Sequence, residues 1–378
     1  MSETKIKYFH VNWQNGMNIS KEHFIQMENA FTAEIADARG VLLNNINYGL
    51  FPVGIGSQGS VKTVIKIDNQ KFLRVRIFSC QAVTRSGARI DILEEHQLPE
   101  LESDISMLLD QAGSEGEYFY ILLSVNAFNR QPFGELNTFE EPPRHPYTIP
   151  GYGISLVSEK DLLAQSVQPD SLIIGKLKIE QGVPEIADEY LPSCMTVKSH
   201  MRLMEFCEMT EKIFSQLELN LLSIIRKINE KNQDTSLAKS VGTLSENLLN
   251  YISENHLRLR FEIPNQPPVF LFMYIANAAR VIRNTIDSDA SANKEELLNY
   301  FTNWSELKQG DFEKLLVYCI NFEYRHFDTL LSVEQFGEFL QIIARLFEKL
   351  EALTYIGKKK ETSIFVKEQK TGRSFLAD

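Results

Sequence analysis

The chain has 378 residues, of which 43% are hydrophobic and 24% are charged, and its formal net charge is −11 at pH 7. This length permits two or three domains with a large core, and the composition is typical of a soluble globular protein. The negative charge and the lack of a basic stripe argue against a nucleic-acid partner.

The first predicted element is a helix that begins after Ser20, within the segment VNWQNGMNISKEHFIQMENAF. Ser20 is a favourable N-cap, and Glu22 suits the first turn because acidic groups stabilise a helix N-terminus. Trp13 and Met17 lie ahead of the cap. The apolar residues of the helix share one face and are Phe24, Met27, Phe31 and Ile35.

Three glycines follow this helix in G-x-G-x-x-G spacing, at Gly54, Gly56 and Gly59. A dinucleotide site needs a helix after such glycines, but Val61 to Asp68 alternates with a period of two and predicts a strand. The kinase pattern fails because Lys66 lies too close to the last glycine and no D-F-G motif follows. We therefore predict a flexible bend between strands, with no nucleotide or other cofactor.

The rest of the first half predicts β-strands. The segments from Lys71 to Ala82 and from Arg85 to Ile92 indicate a hairpin with a tight turn at Ser86-Gly87. Further strands are predicted at Glu117–Phe128, Ile154–Val157 and Leu172–Ile179. Residues 129–153 contain five prolines and indicate either a disordered segment or a surface arm that touches a partner. Short strands with frequent turns predict an antiparallel sandwich.

After Tyr190 the chain changes to helical patterns. One apolar seam runs from Leu203 to Ile228 with 4-3 spacing, on a helix roughly 40 Å long at ~1.5 Å per residue. Such a seam is satisfied either within the chain's own bundle or between subunits, and we predict that it joins the subunits of an oligomer. The seam residues assigned to this contact are Leu203, Phe214, Leu217, Leu221, Ile224 and Ile228.

Further helices follow the seam. A second apolar seam runs from Leu237 to Ile252, and a third helix begins after Pro267-Pro268. The segment Phe312 to Phe327 predicts another helix, and the last one is predicted to start at Ser332, with Gln335 completing a capping box. Thr362 to Gln369 predicts a small strand.

The opening segment carries a family resemblance. Trp13, Gly16 and Met17 form a W-x-x-G-M pattern, and His23-Phe24 follows after five residues. This arrangement resembles the opening signature of TssK, the trimeric baseplate subunit of the bacterial type VI secretion system. The family places a proline at the first helical position, where this chain has Lys21, and either residue is compatible with that site.

Weaker similarity to the family continues in order over about the first 300 residues. It includes the hairpin, the strand that leads to the proline-rich arm, the junction at Pro192 and the proline-led helix after Pro268. The C-terminal part departs from the family. Its sequence predicts helices, whereas the usual family head contains strands and docks onto the membrane complex.

The resemblance implies a non-catalytic α+β adaptor in three parts. An N-terminal antiparallel β-sandwich shell with the early helix occupies residues 1–192, a long-helix bundle neck 193–308, and a mainly helical C-terminal region 309–378. The resemblance also implies a homotrimer that links wedge proteins of the TssF and TssG type to the membrane-anchoring complex, the latter by a divergent contact. The predicted wedge-binding residues are Trp13, Gly16, Met17, His23 and Phe24, with the proline-rich arm as the other candidate.

Two other classes of function are compatible with parts of the sequence. TssK is similar in architecture to the receptor-binding proteins of tailed phages, so a phage-type adhesin is the alternative within the same architecture. An enzyme is disfavoured because the seven histidines are dispersed, and His23 is interpreted as a helix N-terminal residue that packs on Trp13.

Cysteine usage and hydropathy bear on location. The four cysteines are scattered without a C-x-x-C pair, which predicts buried free thiols, no metal site and a reduced, cytoplasmic protein. The N-terminus lacks an apolar signal region, and the apolar run from Val269 to Ala279 is shorter than the roughly 20 residues of a membrane span. We therefore expect no direct membrane insertion.

Overall fold

The computed structural model describes residues 7–52, 54, 60–111, 116–163, 169–304 and 310–357. Within these ranges the strands come first and the long helices last, apart from one early helix, α1 (Lys21–Gly40). This order confirms the predicted α+β class. The strands and the short helices between them are β1 (Gly49–Leu50), β2 (Val61–Ile67), β3 (Phe72–Val83), β4 (Arg89–Ile92), β5 (Leu101–Asp104), α2 (Ser106–Gln111), β6 (Glu117–Phe133), β7 (Tyr147–Ser158), α3 (Glu159–Leu163), β8 (Ser171–Glu180) and β9 (Val183–Ile186).

The strands form two antiparallel sheets. In the first sheet β1, β2, β4 and β5 all pair with the long strand β3, and in the second the order is β7-β6-β8-β9. Alternate residues of β3 and β6, such as Leu73, Val75, Ile121 and Leu123, are buried in one continuous apolar core. This alternation is what a half-buried strand requires, and it confirms the predicted sandwich.

The glycine-rich bend leads into a strand, as predicted. Val61 to Ile67 pairs with β3 along its whole length, and its side chains alternate between half-buried and exposed. A strand here offers no helix N-terminus to a pyrophosphate group. Gly56 and Gly59 lie outside the described residues, so the predicted bend itself is not described.

The β3–β4 hairpin turns where the sequence predicts, at Ser86-Gly87. Gly87 has a φ of +89°, and a Cβ atom there would lie 2.0 Å from the carbonyl oxygen of Ala36 in α1. Only glycine permits both the positive φ and this close approach. The turn therefore fixes where the C-terminal half of α1 meets the sheets.

Strands β6 and β7 are longer than predicted and build much of the proline-rich arm. Pro132 and Pro150 lie inside these paired strands, where proline removes a hydrogen-bond donor but keeps the extended backbone. A register shift between Asn126 and Arg130 accommodates the extra residues. Because of these prolines, the sequence pattern did not predict the strands that the structure has in this segment.

The second half of the described chain is helical. The helices are α4 (Met201–Glu230), α5 (Ser236–Leu257), α6 (Val269–Asp287), α7 (Ser291–Trp304), α8 (Asp311–Ile320) and α9 (Leu330–Ala352). Helix α4 packs against both α5 and α9, and α6 packs against α5 and α8. The apolar seams predicted on α4, α5 and α6 all lie on buried faces, so the helical periodicity located them correctly.

Two predicted boundaries in the C-terminal part are wrong. The helix expected to reach Phe327 ends at Ile320, because residues 321–329 leave the helix to bond with the sheets. The last helix begins two residues before Ser332, at Leu330 with Thr329 as its N-cap, and Ser332 is buried inside it. The strand predicted at 362–369 lies outside the described residues.

Candidate partner-binding surface

The segment before α1 makes a tight turn and enters a capped helix. Gly16 has a φ of +81°, and the backbone N–H of Met17 donates to the carbonyl of Gln14 at 3.2 Å. Ser20 is extended at the N-cap position, and its backbone N–H donates to Nδ1 of His23 at 3.1 Å. His23 thereby takes the place that Glu or Gln fills in a capping box.

Trp13 packs on the first turn of α1. Its ring centroid lies 6.1 Å from that of His23 and 6.3 Å from that of Phe24. The interpretation of His23 as a helix N-terminal residue packed on Trp13 is therefore confirmed. The pKa of the exposed Glu22 carboxyl is lowered. The main cause is a hydrogen bond from the backbone N–H of Glu22, and the second is a hydrogen bond with the Ser20 hydroxyl. The aromatic residues of the predicted site thus meet at the N-terminus of one helix.

The apolar face of α1 points into solvent. Ala30 is the one residue described as buried in this 20-residue helix. Trp13 is 46% exposed and Phe24 50% exposed, and the half-exposed apolar residues farther along α1 are Phe31 and Ile35. Met17 and Met27 are half-buried. Trp13 and Phe24 therefore do not fold back into the core.

Polar contacts join α1 to strand β6 and to the β3–β4 turn. The guanidinium of Arg130 lies 2.7 Å from the carboxylate of Glu28 and donates to the side-chain oxygen of Asn29 at 2.8 Å. At the end of the helix, a Cβ atom on Gly40 would lie 2.9 Å from the carbonyl oxygen of Ser86. These contacts fix the helix in place, and the ring of His10 packs on Phe31 with centroids 5.1 Å apart.

The proline-rich arm is ordered by contacts of its own. Nδ1 of His145 lies 2.7 Å from the carbonyl oxygen of Gly134, and Arg144 forms an ion pair with Glu140. The ring of Phe139, at the tip, is fully exposed. Because Arg130 belongs to the base of the same hairpin, the arm and α1 are joined at one end of the sheets.

The predicted trimer seam is covered within one chain. All six of its residues are buried by helices of the same molecule, and Leu203, Phe214 and Leu221 have no exposed surface. The alternative that the sequence left open, a seam satisfied inside the chain's own bundle, is the arrangement that the structure has. On another face of α4, Leu219 and Leu222 are 61% and 48% exposed.

Sequence reasoning missed a buried polar cluster between the helices and the sheets. The carboxylate of Asp328 accepts from the Tyr120 hydroxyl at 2.9 Å and from the Lys176 ammonium at 2.8 Å. Asp328 is almost fully buried, and it lies 208 positions after Tyr120 and 152 positions after Lys176 in sequence. No local pattern could have joined them.

His326 belongs to the same junction. One ring nitrogen, Nε2, lies 2.8 Å from the carbonyl oxygen of Tyr48, and the other, Nδ1, lies 2.7 Å from the hydroxyl of Tyr324. Nε2 must carry the proton to donate to the carbonyl, so Nδ1 accepts from the tyrosine. Burial lowers the pKa of His326 to about 4. The ring is neutral and both nitrogens are satisfied, which is the chemistry of a structural contact.

The cysteine thiols are likewise structural. All four cysteines are buried and free, as predicted, and burial raises the pKa of Cys80 to about 12 and that of Cys207 to about 11. Thiols with such pKa values are unreactive near neutral pH.

Within the described residues no group of three or more His, Cys, Asp or Glu side chains is placed to hold a metal ion. None of the described helices is both long and apolar enough to cross a bilayer.

Comparison with known proteins gives a distant likeness. No family model and no curated protein matches the chain. A crystal structure of TssK matches with a TM-score of 0.47 and 12% identity, over 89% of this chain and 69% of that one. The chain is similar to TssK. A chain of the type VI secretion baseplate complex matches with a TM-score of 0.47 and 12% identity, over 90% of this chain and 99% of that one. A chain of a TssK-TssF-TssG baseplate subcomplex matches with a TM-score of 0.43 and 14% identity, over 90% of this chain and all of that one.

Proposed function

We propose that this chain is a non-catalytic structural adaptor of a type VI secretion baseplate, and that α1 and the segment before it bind the baseplate wedge. The observation that carries the proposal is the exposed apolar face that begins at Trp13 and Phe24. Those residues belong to the opening signature that resembles TssK, and about half of each side chain is exposed in the described part of the chain. Aromatic side chains of this kind are enriched at the centres of protein interfaces.

The proposal assigns a role to each part of the chain. Residues 1–192 form the shell that meets wedge proteins of the TssF and TssG type, residues 193–308 form the neck, and residues 309–378 reach toward the membrane-anchoring complex. The protein would work in the cytoplasm, at the baseplate. The rings of Phe139 at the arm tip and of Trp13 both belong to the wedge-facing end in this arrangement.

The proposed assembly is a homotrimer with the helical half at its axis. Because the seam of α4 is covered by α5 and α9, the contact between copies is proposed on the outer face of that helix, at Leu219 and Leu222. Two exposed leucines three positions apart lie side by side on a helix. Burying them against a second copy would remove apolar surface from water.

Co-expression with the candidate wedge tests the proposal. The full chain would be produced together with TssF-type and TssG-type proteins from the same genome and purified through a tag on one of them. The proposal predicts that the three proteins elute as one complex in size-exclusion chromatography. Elution of the chain apart from both proteins would contradict it.

A further inference from the structure

The N-terminal halves of α4 and α9 leave a groove between them. Its volume is about 340 Å³, and its apolar floor is formed by Phe206 and Met209 of α4 and by Val333 and Gly337 of α9. The exposed side chain of Leu331 lies two turns before Glu338 on the rim side of α9. The groove is far from α1 in sequence and is not used by the proposed wedge contact.

Gly337, at the floor of the groove, has room for a Cβ atom. A Cβ atom built on this residue would meet no atom nearer than 3.8 Å, that atom being Cε2 of Phe206. The packing of the chain therefore has room for alanine, which is the better helix former. Gly337 is itself buried within this 23-residue helix.

Acidic side chains surround this floor. Glu205 of α4 and Glu334 and Glu338 of α9 line the groove together with one cation, Arg202. Glu334 and Glu338 are four positions apart on one helix face, where like charges destabilise a helix. Among the described residues none of the three carboxylates forms an ion pair. The groove therefore combines an apolar floor with an unneutralised acidic rim.

We propose that the occupant of this groove is the chain's own segment 358–378. Its sequence, KKKETSIFVKEQKTGRSFLAD, has six basic and three acidic side chains in a protein of net charge −11. It carries the apolar residues Ile364, Phe365, Val366, Phe375 and Leu376 between those basic residues. Apolar side chains flanked by lysine and arginine match an apolar floor with an acidic rim.

The distances permit this contact. Helices α4 and α9 run side by side in the same direction, because Phe206 lies near Gly337 and Lys227 contacts Glu351. The 15 residues from Gly337 to the end of α9 at Ala352 span roughly 22 Å of helix. Phe365 and Phe375 follow Gly357 by eight and eighteen residues, which corresponds to about 26 and 59 Å of extended chain at ~3.3 Å per residue. The segment is therefore long enough to return along the two helices to the groove.

Photo-crosslinking within the full chain tests the proposal. Phe365 or Phe375 is replaced with p-benzoylphenylalanine, the protein is irradiated, and crosslinked peptides are identified by mass spectrometry. Crosslinks to residues 201–212 or 331–341, formed within one chain in a mixture of isotope-labelled and unlabelled protein, are expected from at least one position. Crosslinks elsewhere, crosslinks only between chains, or none from either position would overturn the proposal.

A charge-reversal pair gives the matched control. Glu334→Lys combined with Glu338→Lys should lower the crosslink yield several-fold, because both changes place positive charge beside a basic segment. Glu348→Lys makes the same change at an exposed position of α9 outside the groove and should leave the yield unchanged. In the protein that keeps Glu334 and Glu338, the crosslink yield should also fall as salt is raised from 0.05 to 0.5 M, since salt screens exposed charges. Equal yields in all variants would contradict the assignment.

Discussion

At the scale of single residues, the structure assigns His326 a role that its sequence context does not show. Nothing near it in sequence marks a site, yet its ring joins the α8–α9 connection to the carbonyl of Tyr48, 278 positions away. Contacts of this range depend on how the chain returns to the sheets, which local patterns do not encode. By contrast, the Ser20 cap and the Gly87 turn were predictable because each depends on its own neighbours.

The buried His326 predicts a pH dependence of stability. Its pKa is lowered from 6.5 to about 4, so the unfolded chain binds a proton between these values while the folded chain does not. Stability from this residue is present above pH 6.5 and is lost as the pH falls toward 4. Going from pH 7 to pH 5 should cost about 2 kcal/mol from this group alone.

Urea unfolding at the two pH values measures this effect. The variant His326→Gln keeps a donor and an acceptor but does not titrate, so its loss of stability between pH 7 and pH 5 should be smaller than that of the wild type by about 2 kcal/mol. An equal loss in both proteins would show that His326 is not the group responsible.

Gly337 gives a second prediction at this scale. Because the chain has room for a Cβ atom there, Gly337→Ala should raise the free energy of unfolding by roughly 0.5–1 kcal/mol through higher helix propensity. The comparison is Gly87→Ala, which should destabilise the protein, since its Cβ would collide with the carbonyl of Ala36. Stabilisation by both changes, or by neither, would contradict the packing described.

At the scale of elements, periodicity located the buried faces but could not say what covers them. The seam of α4 lies where the 4-3 spacing places it, and the same chain buries it with α5 and α9. An intrachain bundle and a subunit interface require the same apolar stripe, so sequence could not separate them. On α1, by contrast, an apolar stripe of the same kind is exposed to solvent.

Mutation of two leucines of α4 distinguishes its buried face from its exposed face. Leu217 is buried inside the bundle, and Leu217→Ala should cost about 2–5 kcal/mol of stability. Leu219, two positions later, is exposed on the single chain, so Leu219→Ala should change the stability of the dissociated chain by less than about 0.5 kcal/mol. Urea unfolding of both variants checks the difference, and similar losses from the two would mean that the faces of α4 are assigned incorrectly.

At the scale of the whole molecule, the α8–α9 connection joins the two halves of the chain. Asp328 pairs with Lys176 of β8 and accepts from Tyr120 of β6, while Arg325 forms an ion pair with Glu159 of α3 at 2.9 Å. Sequence placed a helix over much of this connection because its residues suit one. The tertiary contacts override that preference, and they tie the helical half to the sheets.

The proposed trimer is a prediction about the assembled molecule. Light scattering at micromolar concentration should give three times the chain mass of 43.4 kDa. Leu219→Asp combined with Leu222→Asp should give the mass of one chain with unchanged circular dichroism, because charge on the contact face is costly to desolvate. A single-chain mass for the wild type would refute the trimer, and an unchanged mass for the variant would refute this interface.

The central claim is that the exposed face of α1 binds the baseplate wedge, and its most direct test is the affinity of the full chain for a purified wedge of the TssF and TssG type. Phe24 and Phe31 are half exposed, so changing both to alanine should leave the fold intact. The account predicts that this pair of changes weakens binding by roughly 30-fold or more, the loss of about 2 kcal/mol expected for an aromatic interface centre. Met273→Ala, at a similarly exposed position of α6, should bind as the wild type does. Equal affinity of the wild type and the Phe24→Ala/Phe31→Ala variant would contradict the claim.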